Sequence, residues 1–389
     1  MNILQIGVAY VGAQKEIEYS IHKHLLKNGH QSYILYAQGN SIEDNIIKYE
    51  NCFENLLIRK YVSKSPRCAF FSTLKVIYYI KRFKPDLVHL HVLHHGYVDY
   101  ILLLRYLAKV KIPVVYTAHD MWLNTGGCYY YTKANCNAFQ ESCKNCPLSS
   151  ELIDCATKHT EKYLKIKKEL VSKLHKFSVV SVSEWVQNEI KRSFLSIYPM
   201  YCIPNAIKDE EYITAEKKHD RFTIIGVAAC WDDRKGLKRF IELAEKVCDY
   251  ADILLIGDVP ENCIVPSNVK LYGRIDDKQA LFKLYSSSDL HVSLSFEETF
   301  GLTFIEAALN GIKSIGFSST AIPYVLNKTF GYIAESCTVT EVADIIKNLS
   351  ADRSECCLSK NQIEIVKDTF SSEKMAVQYT EVYKNLLNK

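Results

Sequence analysis

The sequence predicts an α/β protein made of two Rossmann-like domains, and three observations support this prediction. The chain has 389 residues, which is enough for two domains of ordinary size that each bury their own core. Short apolar segments of strand type alternate with amphipathic helical segments along both halves. Polar or glycine-containing loops directly follow strand segments, and α/β proteins place their binding sites at such strand ends.

Composition narrows the class of protein further. Apolar residues make up 48% of the chain and charged residues 24%, as in ordinary globular proteins. The formal net charge of +4 gives no reason to expect a nucleic-acid partner. The sequence has no run of about 18 apolar residues and no N-terminal basic stretch before an apolar one, so we predict neither a membrane span nor an export signal. The chain is therefore expected in the cytoplasm, with most of its 14 cysteines reduced.

The N-terminal segments predict the first Rossmann-like unit. Residues 2–7 are strand-like, residues 8–14 form a glycine-containing loop, residues 15–28 form an amphipathic helix, and residues 32–37 form the next strand. The glycines do not follow the G-x-G-x-x-G spacing, so a nicotinamide cofactor is not predicted.

Histidines gather at the carboxyl ends of two further predicted strands, residues 87–90 and 113–117. His89 lies in the first of these strands, and His91, His94 and His95 follow it. No aspartate, glutamate or cysteine completes a metal-ligand spacing beside them, so a metal cluster is not predicted. The second strand is followed by His119 and Asp120. A histidine at a strand end favours a functional role over that of a core histidine bonded to a backbone carbonyl.

Residues 122–147 form an irregular segment, rich in tyrosine and cysteine, that we predict to be an insertion. Its four cysteines are Cys128, Cys136, Cys143 and Cys146. Four thiols can hold one structural zinc ion, although only the last pair has a usual ligand spacing. The alternative is a loop that is packed by small apolar thiols and binds no metal.

The segment from Lys158 to Lys176 predicts a basic amphipathic helix. Its apolar side is formed by Tyr163, Ile166, Leu170 and Leu174. Two interpretations stay open. The helix is either solvated and laced by helical ion pairs, or it is attracted to an anionic membrane surface.

The second domain is predicted to begin after Asn205. The polar segment 208–220 predicts the crossover, and a strand at residues 221–229 leads into a polar loop. That loop ends at Lys235, where a helix over residues 237–249 begins. An ammonium group at this position can neutralise a diphosphate.

The most informative pattern lies in the second half. An apolar strand (290–294) leads through a polar loop (296–301) into a helix (302–309), which is how α/β proteins build anion sites. Glu298 and Glu306 bracket the start of this helix. Because carboxylates repel a bare phosphate, they are expected to accept hydrogen bonds from sugar hydroxyls.

The sequence Glu298-Thr299-Phe300-Gly301, with Glu306 five positions on, resembles the donor-site motif of the retaining glycosyltransferases of family 4, which have the GT-B fold. The resemblance implies two Rossmann-like domains facing a central cleft. Residues 1–205 would bind the acceptor, residues 206–370 the nucleotide-sugar, and a C-terminal helix at 371–389 would cross back to the first domain. The implied reaction is retaining transfer of a hexosyl or N-acetylhexosaminyl group. The donor would be a nucleotide-sugar, with a UDP-sugar favoured, and no cofactor would be required.

The resemblance also implies roles for individual residues. Glu306 would bind ribose hydroxyls, Glu298 would hold sugar hydroxyls, and His119 would contact the donor sugar. The remaining donor-site residues would be Lys235, Arg234, Arg274, Thr299, and the amides of Phe300 and Gly301. The acceptor side would comprise Gly12, His95, Asp120 and Tyr129, with an ordinary turn as the alternative role of Gly12. The implied acceptor is a glycan or a lipid-linked oligosaccharide of bacterial surface polysaccharide synthesis. The enzyme would then be cytoplasmic, either free or peripheral on the inner face of the membrane.

This sequence departs from the family pattern at three places. Ala229 stands where an arginine is usual, and Gly127 replaces a histidine found in colanic-acid-type insertions. Ser318-Ser319-Thr320 replaces a Gly-Gly turn. The β-branched Thr320 is poorly suited to positive φ, so hydroxyls are expected to take over from backbone N–H groups. Three alternatives stay open: a nucleotide-sugar 2-epimerase, a non-catalytic glycosyltransferase-like partner subunit, and a sugar-binding module.

Overall fold

The chain divides into two compact units. The computed structural model describes residues 1–10, 12–50, 54, 69–132, 134–148, 159–207, 212 and 219–388. The first unit comprises Met1–Ala206 together with Ser372–Lys389, and the second comprises Ile207–Ser371. The predicted crossover at residues 208–220 lies almost entirely outside the described residues.

The first unit is built on a seven-stranded parallel sheet. Its strands are β1 (Asn2–Ile6), β3 (Gln31–Tyr36), β5 (Ile46–Lys48), β6 (Leu87–Leu90), β7 (Val114–Ala118), β8 (Phe177–Ser181) and β9 (Met200–Cys202). Their order across the sheet is β5-β3-β1-β6-β7-β8-β9. Two further short strands, β2 (Ala9–Tyr10) and β4 (Gln38–Gly39), pair with each other.

Helices connect these strands, as parallel pairing requires. They are α1 (Gly12–Lys27), α2 (Phe70–Phe83), α3 (Tyr100–Val110), α4 (Thr160–Ser172) and α5 (Glu184–Lys191). Local caps fix several of their starts. The Asp99 carboxylate accepts hydrogen bonds from the backbone N–H groups of Ile101 and Leu102 at the start of α3.

The second unit is built on a six-stranded parallel sheet. Its strands are β10 (Phe222–Cys230), β11 (Ala251–Asp258), β12 (Val269–Gly273), β13 (Leu290–Ser293), β14 (Ser314–Phe317) and β15 (Tyr332–Ala334), and their order is β12-β11-β10-β13-β14-β15. Its helices are α6 (Leu237–Val247), α7 (Lys278–Ser287), α8 (Leu302–Leu309), α9 (Ile322–Lys328), α10 (Val339–Ala351) and α11 (Lys360–Thr369). Side chains of α6 and α10 pack on the sheet in one apolar core.

The last helix, α12 (Ser372–Asn388), belongs to the first unit. Its buried residues Met375, Tyr379 and Tyr383 share a core with Ile17 and Ile21 of α1. Burying large apolar or aromatic side chains of this kind contributes on the order of 2 kcal/mol each. None of the helices that the structure describes combines the length and the apolar composition needed to cross a membrane.

The predicted fold class is confirmed, because both sheets are parallel throughout and are connected by helices. In each sheet the first strand of the unit is an inner strand. The chain first adds strands on one side of it and then adds strands on the other side. The order therefore reverses between β1 and β6 in the first unit and between β10 and β13 in the second. Open α/β sheets bind ligands at the carboxyl ends of the strands at such switch points.

Candidate active site

The switch point of the second unit brings two predicted site loops together. Strands β10 and β13 are paired in parallel, so the loops that follow them lie at the same edge of the sheet. Gly236 ends the first loop with φ of 89°, and a Cβ atom there would lie 2.5 Å from the carbonyl oxygen of Leu294. Only glycine permits both this left-handed backbone and this close approach of the two loops.

Lys235 and Glu298, which were predicted to serve the same site, form an ion pair across these loops. Lys235 Nζ lies 2.5 Å from Glu298 Oε1, and the two side chains are 25% and 15% exposed. The Asp232 carboxylate accepts a hydrogen bond of 2.7 Å from the backbone N–H of Lys235. The loop that carries the cation is therefore fixed, while the ammonium group stays accessible to a ligand.

Arg239, in the first turn of α6, ties the two loops to each other. Its Nε donates to the carbonyl oxygen of Leu294 at 2.8 Å, and its Nη2 donates to that of Asp233 at 2.7 Å. The guanidinium carbon lies 4.4 Å from the centre of the Phe296 ring. Burial lowers the pKa of Arg239, although the negative charges of Asp233 and Asp232 act to raise it. The sequence pattern does not single out this residue, because an arginine in an amphipathic helix resembles an ordinary solvated charge.

The turn after β14 holds the Glu298 loop from the other side. The Thr320 hydroxyl accepts a hydrogen bond from the backbone N–H of Glu298 at 3.0 Å, and the backbone N–H of Ala321 donates to the Glu298 carbonyl at 3.2 Å. The Ser319 hydroxyl donates to the carbonyl of Phe296 at 2.6 Å. Thr320 adopts φ of 53°, although its β-branch disfavours that region. The expectation that Thr320 would avoid positive φ is therefore wrong, because these hydrogen bonds hold the strained conformation in place.

Glu306 lies in α8, where a neighbouring helix orients it. The Tyr285 hydroxyl of α7 donates to Glu306 Oε2 at 3.2 Å. Burial raises the pKa of Tyr285 well above its usual value, so the phenol stays protonated and able to donate. Gly301 caps α8 with φ of 98°. Phe300 is buried and its ring packs edge-to-face on that of Phe370.

The remaining predicted donor-site residues lie at several places. Thr299 is half-buried in the Glu298 loop. Arg234 is half-buried beside Lys235, and its carbonyl accepts a hydrogen bond from the Ser295 hydroxyl at 3.3 Å. Arg274 lies apart, exposed after β12, where it pairs with Asp276 at 2.8 Å. Arg234 is therefore the better placed of the two arginines to add positive charge near Lys235.

The switch point of the first unit carries a pair of histidines, the fully buried His91 and the half-buried His119. His91 Nδ1 lies 3.0 Å from His119 Nε2, and His91 Nε2 lies 3.2 Å from Gln5 Oε1. Burial lowers the pKa of His119 to about 4 and that of His91 well below its usual value. Both imidazoles are therefore neutral near pH 7, so one can donate to the other.

The predicted acceptor-side residues gather around His94. Its Nε2 lies 2.6 Å from Asp120 Oδ2, and its ring centre lies 4.1 Å from that of His95 and 4.6 Å from that of Tyr129. Burial acts to raise the pKa of Asp120, but His94 and the N–H of Trp122 outweigh it and leave that pKa below its usual value. Burial lowers the pKa of His95 to about 4.

Two residues of the first unit lie outside this group. Gly12 is the first residue of α1, which follows β1 and the short β2. His89 is fully buried and bonds to the hydroxyls of Thr117 and Tyr383, each at 2.7 Å. It is therefore a core histidine with satisfied hydrogen bonds.

The four cysteines of the insertion line one small cleft. Burial raises the pKa of Cys128 to about 12 and that of Cys143 to about 11, so both are neutral thiols. Among the described residues, which include all four cysteines, no group of three or more histidine, cysteine, aspartate or glutamate side chains is arranged to hold a metal ion. The packed-thiol alternative and the zinc alternative both stay predictions for this cleft.

Helix α4 is anchored to the same insertion through a buried lysine. Lys167 is 1% exposed. Its Nζ donates to the carbonyl of Trp122 at 2.5 Å and lies 3.6 Å from the centre of the Trp122 ring. Leu164 and Leu170 of the same helix are buried as well. Lys158, where the predicted basic helix began, lies outside the described residues.

Comparison with known proteins identifies the class of this chain. A model of the family described as Glycosyltransferase Family 4 matches residues 19–211, and one described as Glycosyl transferases group 1 matches residues 208–365. The chain belongs to glycosyltransferase family 4 and is a glycosyltransferase of the GT-B fold. The predicted family and enzyme class are confirmed.

Two curated relatives are similar over different lengths. An N-acetyl-alpha-D-glucosaminyl L-malate synthase of Bacillus anthracis is 34% identical over 146 residues, which are 35% of this chain and 38% of that protein. The putative colanic acid biosynthesis glycosyl transferase WcaC of Escherichia coli K12 is 22% identical over 99% of this chain and 100% of that protein.

Solved structures share the fold over the full length. Sucrose-phosphate synthase from Thermosynechococcus elongatus has a TM-score of 0.74 at 16% identity and covers 99% of both chains. Anabaena Alr3699/HepE in complex with UDP-glucose has a TM-score of 0.64 at 15% identity, covering 99% of this chain and 100% of that one.

Proposed function

We propose that this glycosyltransferase moves a hexosyl or N-acetylhexosaminyl group from a nucleotide-sugar, with a UDP-sugar favoured, to a glycan or lipid-linked glycan. The setting would be bacterial surface polysaccharide synthesis, as the name of the E. coli relative suggests. The observation that carries the proposal is the half-buried pair of Lys235 and Glu298 at the switch point of the second unit. The UDP-glucose complex of HepE supports a UDP-sugar donor.

The pair provides both charges that a nucleotide-sugar requires. The diphosphate would draw the ammonium group of Lys235 away from Glu298, since two phosphates carry more charge than one carboxylate. The freed Glu298 carboxylate would then accept hydrogen bonds from sugar hydroxyls. Glu306, held by Tyr285, would accept hydrogen bonds from the ribose. Arg234 and the amides of Phe300 and Gly301 would further stabilise the leaving diphosphate.

We propose that the configuration at the anomeric carbon is retained. The bond from that carbon to the leaving phosphate oxygen breaks, the bond to the acceptor oxygen forms on the same face, and the acceptor proton passes to the leaving phosphate. The weak basicity of His119 and Asp120 favours this route. The pKa of His119 is about 4 and that of Asp120 is lowered, so neither group is a strong base near neutral pH.

The acceptor would bind to the first unit, where His95, Asp120 and Tyr129 surround His94. Aromatic faces and the neutral imidazole of His95 suit sugar rings, which present both C–H faces and hydroxyl edges. His119, neutral and half-buried, would contact the donor sugar. The charge of the leaving group would be neutralised by side chains and amides, so the proposal requires no metal or other cofactor.

Thermal-shift screening against UDP-, GDP- and TDP-sugars tests the donor assignment, because a ligand of the native state raises the melting temperature. The proposal expects a shift with at least one nucleotide-sugar, which Lys235→Ala abolishes while the variant stays folded. The same shift in wild type and Lys235→Ala would reject the site. Conversion of the donor without any acceptor would identify an isomerase instead.

A further inference from the structure

The histidine pair at the switch point of the first unit belongs to a longer series of hydrogen bonds. The series begins at helix α1, where Gln5 Nε2 lies 3.0 Å from the backbone carbonyl oxygen of Glu18. Gln5 Oε1 lies 3.2 Å from His91 Nε2, and His91 Nδ1 lies 3.0 Å from His119 Nε2. Gln5 and His91 are fully buried, so bulk water does not compete for these contacts.

The Glu18 carbonyl sets the direction of this series. A carbonyl oxygen can only accept a hydrogen bond, so the amide nitrogen of Gln5 must be the atom that faces it. The side-chain oxygen of Gln5 therefore faces His91 and accepts a hydrogen bond from His91 Nε2. The opposite orientation of the Gln5 amide would place two buried acceptors against each other, which is costly.

His91 can hold only one ring proton in these surroundings. It is fully buried, and its two partners, an amide and an imidazole, carry no negative charge that would stabilise an imidazolium. Burial, together with the neighbouring His89 and His119, holds the pKa of His91 well below its usual value. Because its proton is on Nε2, His91 presents the lone pair of Nδ1 to His119, and His119 Nε2 must donate to it.

The same reasoning fixes the other nitrogen of the His119 ring. Burial lowers the pKa of His119 to about 4, so this ring also holds a single proton near neutral pH. That proton is on Nε2, which leaves Nδ1 as an acceptor. His119 is half-buried, and among the described residues its ring has no hydrogen-bond partner besides His91.

We propose that Gln5 and His91 fix the tautomer of His119, so that His119 Nδ1 accepts a hydrogen bond from a hydroxyl of the donor sugar. The inference rests on the proposed function, in which His119 contacts that sugar. Gln5 and His91 are then positioning residues that act on the sugar through His119. The site takes a sugar that presents a hydroxyl to His119 and disfavours one that presents only an acceptor, such as a carboxylate, because two lone pairs would then face each other.

The reverse series would give the site the opposite selectivity. If His91 held its proton on Nδ1, that proton would be donated to His119 Nε2, and His119 would carry its own proton on Nδ1. His119 would then donate to the sugar. This arrangement places the lone pair of His91 Nε2 against the side-chain oxygen of Gln5, 3.2 Å away in a fully buried site.

Nuclear magnetic resonance of the full-length protein, labelled with nitrogen-15 on its histidines and measured without any sugar, tests the direction. A coupling across the hydrogen bond should join His119 Nε2 to His91 Nδ1, with the proton attached to His119 Nε2. The variants His91→Leu and His119→Leu assign the two rings, since each removes one side of the coupling. Absence of the coupling, or a proton on Nδ1 of either ring, would overturn the proposal.

The variant Gln5→Met separates a positioning role from a structural one. It removes both Gln5 hydrogen bonds at similar side-chain size, so a second population of His119 with its proton on Nδ1 should appear. The control His22→Gln changes a histidine that is equally buried in the same unit and bonded to Ser32 at 2.9 Å. It should keep the coupling unchanged. A folded Gln5→Met variant with a single, wild-type form of His119 would overturn the role of Gln5.

Binding constants provide a second test of the same variant. Calorimetry would use the tightest-binding of the UDP-, GDP- and TDP-sugars and, separately, its free nucleotide. Gln5→Met should bind the nucleotide-sugar about fivefold more weakly, the value of about one hydrogen bond, and should bind the nucleotide like wild type. Equal weakening of both ligands would indicate a structural defect and overturn the positioning role.

This proposal and the donor assignment fail separately. If the coupling has the predicted direction and no nucleotide-sugar raises the melting temperature, the donor assignment is rejected and the tautomer of His119 stands. If a nucleotide-sugar raises the melting temperature and the shared proton is attached to His91 Nδ1, the tautomer is rejected and the donor assignment stands.

Discussion

The ion pair of Lys235 and Glu298 leads to an unusual prediction for the variant Glu298→Gln. In the free enzyme the Glu298 carboxylate is paired with the Lys235 ammonium group, at an N–O distance of 2.5 Å. The diphosphate would need that same ammonium group. Replacing Glu298 with glutamine removes this competition while preserving the shape of the side chain. The variant should therefore bind free UDP more tightly, although it transfers sugar poorly.

The magnitude follows from the exposure of the pair. With side chains 25% and 15% exposed, the pair lies between a surface ion pair and a buried one, so its strength is on the order of 1 kcal/mol. Releasing it should tighten UDP binding by about fivefold. Transfer should fall by about 10²-fold or more, because the sugar hydroxyls lose a charged acceptor.

Isothermal titration calorimetry with UDP measures the first quantity, and UDP release in the presence of acceptor measures the second. Glu306→Gln is the matched control. It removes the other carboxylate of the same motif, but its proposed contact is with ribose, so it should weaken UDP binding. Unchanged or weaker UDP binding by folded Glu298→Gln would refute the idea that the carboxylate and the diphosphate compete for Lys235.

Three further predictions concern groups that hold the site or its unit in place. Thr320→Val should lower the free energy of unfolding in urea by about 1–3 kcal/mol and reduce kcat/KM, because the backbone N–H of Glu298 loses its acceptor. Thr320→Ser keeps the hydroxyl and should resemble wild type. Equal losses in both variants would contradict the role of the hydroxyl. Arg239→Met should raise KM for the donor with a smaller effect on kcat, because the loops lose two hydrogen bonds, and a donor KM like that of wild type would contradict that role. Glu18 lies fully buried in α1, and burial raises its pKa to about 8. The folded protein therefore keeps a proton on this carboxyl group that the unfolded chain loses near pH 4.5. Stability should then fall as pH rises from about 4.5 to about 8, by up to about 5 kcal/mol, and Glu18→Gln should remove this loss; parallel stability curves for the two proteins would contradict it.

Much of the fold could be predicted from the sequence, because apolar strands and amphipathic helices leave distinct periodic patterns. The predicted strand at residues 87–90 and the predicted helix at 302–309 agree with β6 and α8. The first helix begins at Gly12, three residues before the predicted start. Helix α2 has no counterpart among the predicted elements. Its sequence places aromatic and β-branched residues on both sides, and such a pattern does not separate a buried side from an exposed one.

Residues of the candidate site could be predicted from the sequence where they belong to a short motif. They could not be predicted where they act through hydrogen bonds to residues far along the chain. Glu298 and Lys235 were predicted from the sequence to serve one site, and the structure pairs them. Arg239 and Tyr285 were not, because their hydrogen bonds reach loops and helices that are far along the chain. The positive φ of Thr320 was likewise beyond sequence reasoning, since it depends on the hydrogen bonds of the Glu298 loop.

Acceptor-dependent UDP release is the measurement that tests the central claim most directly. The purified enzyme would be incubated with a UDP-sugar, with and without a lipid-linked oligosaccharide fraction, next to the variant Lys235→Ala. The account predicts UDP release only when the acceptor is present, loss of that release in the folded variant, and an NMR coupling in the product that matches the anomeric configuration of the donor. An inverted product, full release by Lys235→Ala, or conversion of the donor without acceptor would contradict it.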